Sequence, residues 1–107
     1  MNTQAKAKTI AALRSGKYSQ TGGRLRRTEK PYAYCCLGVM CEVALEGYWD
    51  DGGSYILSTG KTAGLATLSK EAASKLGLSI KETNVLAAKN DSGLTFEEIA
   101  NYIEGNL

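Results

Sequence analysis

Tyr34-Cys35-Cys36-Leu37-Gly38-Val39-Met40-Cys41-Glu42-Val43-Ala44-Leu45-Glu46 decides the fold, because as a helix it is apolar on almost every side. Leu37, Met40, Cys41, Ala44 and Leu45 recur at i, i+3, i+4, i+7 and i+8, and Cys36, Val39 and Val43 widen that stripe. Only Glu42 and Glu46 need water. A helix with so little polar surface belongs in the middle of a domain, so residues 35–46 are expected to form a central helix ended by Gly47. Cys41 lies on the stripe and reads as a buried small hydrophobe. Three cysteines within seven positions suit neither a disulfide framework nor a tetrahedral zinc site. A reactive thiol is the alternative reading for Cys35 or Cys36, which stand where a helix N-terminus lowers a thiol pKa.

Upstream, residues 3–15 read as a first helix with Ile10 and Leu13 facing inward and Gly16 as its stop. The alternation Arg24/Leu25/Arg26 suits a half-exposed strand, and Pro31–Tyr34 a second one, joined as a hairpin by Thr28-Glu29-Lys30. Downstream, Trp49 is expected to cover an edge of the core. Asp50-Asp51-Gly52-Gly53 reads as a turn into a strand at residues 54–58, and residues 59–67 as a surface loop. Ser69 caps a brief helix through Leu76, with Leu68 and Ala73 as a hydrophobic staple and Gly77 as its stop. Asn84–Lys89 is a short, weakly signalled helix running into a turn at Asn90-Asp91-Ser92-Gly93. The last helix is the clearest. Thr95 and Glu98 form a capping box, and Phe96, Ile99, Ala100 and Ile103 form one apolar face. The sum is one α+β domain spanning residues 1–107, with about four helices around the Cys-rich helix and a short antiparallel sheet of two or three strands.

Composition narrows the function. The chain is 43% apolar and 22% charged, near the globular average, and no apolar run approaches the roughly 18–20 residues that span a bilayer. Met1–Lys6 lacks the apolar stretch of a signal peptide, so a cytoplasmic protein without membrane association is expected. The chain contains no histidine, which removes the commonest general base and metal ligand and every Ser-His or Cys-His pair. The acid pairs Asp50-Asp51 and Glu97-Glu98 fall in a turn and at a helix start, where no second carboxylate in a shielded cleft is indicated. Gly60-Lys61-Thr62 lacks the earlier glycine of a phosphate-binding loop. The reading is therefore not an enzyme, with no cofactor and no metal.

The net charge of +2 hides a segregation. Residues 1–31 hold eight basic residues and one acid, whereas residues 32–107 hold five lysines and ten acids. A solvated face neutralised by the rest of the fold is one reading, and an anion site is the other. Gly22-Gly23, flanked by Arg14, Lys17, Arg24, Arg26 and Arg27, has the ingredients of an anion cradle, since glycine exposes backbone N–H groups and guanidinium forks match phosphate oxygens. Tyr18, Tyr32 and Tyr34 either stack on a base or pad the sheet. The candidate ligand-binding residues are Arg14, Lys17, Tyr18, Gln20, Arg24 and Arg26, with Arg24 and Arg26 on one strand face and Leu25 anchoring the other. A pocket this small is most easily completed across a symmetric interface, so a homo-oligomer is expected. The competing account has Tyr18 and Gln20 merely tying their loop to the Asn90-Asp91 turn.

Three stretches together resemble a group of small proteins encoded by bacteriophages and prophages. They are Ala12-Leu13-Arg14-Ser15-Gly16-Lys17-Tyr18 with Gln20, Gly23 and Leu25, then Tyr34–Glu42, then Leu86, Asn90-Asp91, Gly93, Phe96, Ile99-Ala100 and Ile103. Residues 47–84 are unmatched, and Thr9-Ile10 stands where such proteins often carry an aromatic residue. The resemblance implies a phage origin and, from it, a non-enzymatic accessory factor in the host cytoplasm that counteracts bacterial defence. Sequestration of a nucleotide second messenger is one form of that role and docking as an inhibitor on a host defence protein is the other; apart from the resemblance, the basic third leaves nucleic-acid binding as a further reading.

Overall fold

The computed structural model describes residues 1–107 and is built around a nine-residue helix, α2 (Cys36–Ala44), in which every residue from Cys36 to Cys41 is buried. Helix α1 (Thr3–Arg14) packs on α2, and α5 (Phe96–Asn106) packs on α1. On the other side of α2 lies α4 (Ile80–Asp91), preceded by α3 (Lys70–Leu76). One cluster of 23 buried residues draws members from all five helices, so the expected α+β domain with a central Cys-rich helix is what forms. Its antiparallel sheet has three strands in the order β3 (Gly47–Trp49), β4 (Tyr55–Leu57), β5 (Thr62–Gly64). No helix is long and apolar enough to cross a membrane.

Local chemistry explains most of the boundaries. Ser69 accepts from the Ala72 N–H to start α3, and Gly77, at φ 73°, ends it in the left-handed conformation that favours glycine. Thr95 and Glu98 form the expected capping box of α5, and Phe96, Ile99, Ala100 and Ile103 are its buried face. Helix α1 turns a different side inward than its apolar residues suggest. Ala5, Thr9 and Leu13, spaced by four, face the core, and Ile10, one position round, is only half-buried.

Four expectations need correction. The segment read as a short helix and then a turn is one continuous helix, α4, opened by a capping box of Ser79 and Glu82 and extending through Asn90 and Asp91. The segment read as surface loop contains β5, with Ala63 fully buried. Gly47, expected only as the stop of the central helix, opens an edge strand of the sheet, Gly47–Trp49, in which Trp49 packs against the core as expected. The hairpin of Arg24–Arg26 with Pro31–Tyr34 is reduced to one antiparallel bridge, Arg26 to Tyr34. The other edge of β2 (Ala33–Tyr34) pairs in parallel with β1 (Ser19–Gln20), because the chain turns back through Gly22-Gly23 and brings both flanks of the basic loop to one short strand.

Candidate functional site

The basic loop is held from beneath by the central helix. Leu25 is fully buried, its carbonyl accepts from the Cys35 N–H at 3.0 Å, and its N–H donates to the Leu65 carbonyl at 2.8 Å. Gly38 makes this approach possible, since a Cβ there would overlap the Leu25 carbonyl oxygen and lie 2.8 Å from its carbon. With Leu25 anchored, its neighbours Arg24 and Arg26 are both half-buried.

Helix α4 holds the loop from its side. Asn90, buried on the last turn of α4, accepts from Gln20 Nε2 at 3.0 Å and from the Cys36 N–H at 3.1 Å, and its Nδ2 donates to the Thr21 carbonyl at 2.8 Å. Cys35, the N-cap of α2, has no capping hydrogen bond from its own side chain, so Asn90 satisfies an orphan donor of α2 from a different helix. Asp91 Oδ1 accepts from the Gly23 N–H at 3.0 Å.

The six candidate ligand-binding residues do not converge on one cradle. Arg14 reaches α5, where Nη2 donates to Asn101 Oδ1 at 2.7 Å and the guanidinium pairs with Glu104 at 3.2 Å and Glu97 at 3.6 Å. Gln20 has both its donors engaged, by Asn90 and by the Leu94 carbonyl at 2.7 Å. The competing account therefore describes Gln20. Tyr18 makes no such tie and lies edge-on to Tyr34, ring centroids 5.2 Å apart. Lys17 is exposed at the end of the α1 turn. Arg24 and Arg26 remain, together with residues that the sequence named only as neighbours.

Arg26 lies between two rings. Its guanidinium carbon is 3.8 Å from the Tyr32 ring centre and 4.7 Å from that of Trp49, a double cation–π contact. Trp49 in turn stacks edge-on against Tyr34 and Tyr55 and donates from Nε1 to Glu42 Oε2 at 2.9 Å. Burial and the nearby Glu42 carboxylate push the Tyr18 and Tyr34 hydroxyls above the usual tyrosine value. Arg24 Nη2 donates to the Gly52 carbonyl at 3.3 Å, joining the loop to the β3–β4 turn. Both arginines have a sheltered Nε–H with no acceptor. Beside them Arg24, Arg27, Thr28 and Glu29 line a recess of about 110 Å³. Trp49 carried no binding signal in the sequence. Its neighbours Arg26 and Tyr32 lie 23 and 17 positions away along the chain.

The thiols are not part of this site. Cys35, Cys36 and Cys41 are free and buried, and burial pushes all three thiols up despite the position of Cys35 and Cys36 at the start of α2. Cys36 Sγ faces the Leu86 carbonyl at 3.6 Å. The structure assembles no group of three His, Cys, Asp or Glu side chains in metal-binding reach.

No curated protein and no solved structure matches the chain. A family model described as a domain of unknown function, DUF8296, matches residues 1–59, which hold α1, the basic loop, α2 and the first two strands of the three-stranded sheet. That match covers more than half of the chain, including Arg24–Glu29 and the aromatic side chains around Arg26, so this protein belongs to the DUF8296 family.

Proposed function

We propose that this protein is a phage-encoded, non-enzymatic binding protein that counteracts host defence in the cytoplasm by sequestering a nucleotide second messenger. The observation that carries this reading is that the guanidinium groups of Arg24 and Arg26 form no ion pair with any acid of the chain. An anion is the partner that a guanidinium edge best accepts. The rings of Tyr32 and Trp49, already in contact with Arg26, add the apolar, stackable surface that a nucleobase needs. Gln20 helps to fix the frame of the loop through Asn90 and Leu94, and Tyr18 packs edge-on against Tyr34. The recess is far smaller than the roughly 300–1,000 Å³ of sites that enclose drug-sized ligands, so assembly of at least a dimer over the ligand is part of this reading.

Mass spectrometry of small molecules released by denaturing the protein, purified from a defence-carrying host, tests this reading. A nucleotide should appear in stoichiometric amount and be lost from the folded double variant Arg24→Ala/Arg26→Ala. Equal retention by that variant overturns it. A host defence protein as the target is favoured by one separate observation: Tyr48 and Leu65 are exposed large apolar side chains, Tyr48 next to Trp49 and Leu65 bonded to Leu25. Aromatic residues and arginine are the side chains enriched in protein interfaces. Tyr48→Ala would then abolish anti-defence activity while nucleotide retention stays unchanged.

A further inference from the structure

We propose that the recess lined by Arg24, Arg27, Thr28 and Glu29 is a subsite for a single terminal phosphate monoester. It rests on the reading of this loop as a nucleotide site and names the end of the ligand that the loop takes. Size gives the first argument. At about 110 Å³ the recess is several-fold smaller than sites that enclose drug-sized ligands, a size that suits one phosphoryl group and does not enclose a nucleoside.

The lining gives the second argument. None of the four residues is apolar, and two are arginines that form no ion pair with any acid of the chain. Arg24 directs one Nη2–H to the Gly52 carbonyl and keeps a sheltered Nε–H without an acceptor. Thr28 adds a hydroxyl donor. Two guanidinium groups suit the double charge of a monoester better than the single charge of a diester. Glu29 selects in the same direction. A second phosphate next to the first would meet its carboxylate, whereas a sugar hydroxyl at that edge would donate to it.

The floor is rigid, as a preorganised anion site requires. Asp50 Oδ1 accepts from the Gly52 and Ser54 N–H groups at 2.9 Å each, which fixes the β3–β4 turn beneath the loop. Gly53 of that turn lies so close that a Cβ would stand 3.1 Å from the Arg26 carbonyl oxygen and 3.2 Å from Thr28 Cγ2. The Arg27 N–H donates to the Ala33 carbonyl at 2.9 Å, which holds the loop to β2.

The test is an NMR titration of the full chain, following the arginine Nε–H signals and the backbone amides of Arg27 and Thr28. The probes are ribose 5-phosphate as the monoester, dimethyl phosphate as the diester, and inorganic phosphate, diphosphate and sulfate as free ions. Ribose 5-phosphate should shift the Arg24 Nε–H signal saturably, with the diester about tenfold weaker, and Arg27→Ala should weaken the monoester about tenfold. Glu29→Gln should narrow the preference for monoester over inorganic diphosphate. Equal affinity for ribose 5-phosphate and inorganic phosphate would identify the ligand as the free ion and overturn the ester. Unmoved Arg24 and Arg27 signals would overturn the recess itself. If nucleotide nonetheless co-purifies in an Arg24- and Arg26-dependent manner, the sequestration reading survives and the subsite alone fails.

Discussion

Residues 14–20 and residues 24–29 are both polar and both basic, yet the fold uses them in different ways. In the first segment the side chains of Arg14 and Gln20 are engaged: Arg14 is bonded to Asn101 and Glu104 of α5, and Gln20 to Asn90 and Leu94. The second keeps its donors: the Nε–H groups of Arg24 and Arg26 have no acceptor, and Arg27 pairs with no acid. What separates them is the far end of the chain. The acids that pair with Arg14, Glu97 and Glu104, sit on α5, which packs against α1 and forms no ion pair with the next loop. Of the two sequence readings of the basic third, internal neutralisation describes Arg14, and the proposed anion site rests on Arg24–Glu29, whose arginines pair with no acid of the chain. Charge counts locate cations, and only packing decides which remain available.

The largest effect is expected at the anchor of the free segment. Gly38→Ala places a methyl group against the Leu25 carbonyl, and backbone atoms cannot swing aside as a side-chain tip does. The cost should be about 3 kcal/mol or more, read as a fall in the urea midpoint at unchanged m-value. A variant of near-native stability would mean that the Leu25 segment is free to move off α2, and that the site is not preorganised.

Next comes the anchor of the committed segment. Asn90→Ala removes three hydrogen bonds at once and orphans the buried Cys36 N–H, so a loss of about 2–3 kcal/mol in chemical denaturation is expected. Ligand retention should follow only the folded fraction. A loss of retention in protein shown by circular dichroism to be fully folded would show that the α4 end shapes the binding loop directly, and the contrast between the two segments would weaken.

The elements legible in the sequence are those whose signal is local. The apolar surround of α2, the Ser69 and Thr95 caps and the stop at Gly77 depend on residues within one or two turns of each other. Helix α4 was only half legible because its buried face is Thr83, Leu86 and Asn90, one aliphatic residue in three turns, although Ser79 and Glu82 carry the same capping box as Thr95 and Glu98. Strands β3 and β5 are three residues long, with too few positions for an alternation to register. In the site, the arginines were visible by composition. The pairing of Arg26 with Trp49 was not, because it joins two segments whose only common feature is the sheet edge that brings them together.

The smallest effect is expected at Arg14, and its pH dependence separates the two segments most sharply. The Arg14 hydrogen bond and charge hold the Glu104 carboxyl below the usual carboxylate value, and both side chains are exposed. A depressed folded-state pKa contributes stability that is present above the ordinary glutamate range and is lost as pH falls through the folded value. Arg14→Ala should therefore lower the melting temperature slightly at pH 7, and the gap to the wild type should close as the solution is taken below pH ~4. Added salt should close it as well, since the screening length falls from about 10 Å at 0.1 M to about 3 Å at 1 M. Arg24→Ala should show neither dependence, because Arg24 forms no ion pair with an acid of the chain. A gap for Arg14→Ala that persists at low pH would mean that the bond to Asn101, a neutral partner at 2.7 Å, does the holding and that the segment is committed by geometry instead of by charge.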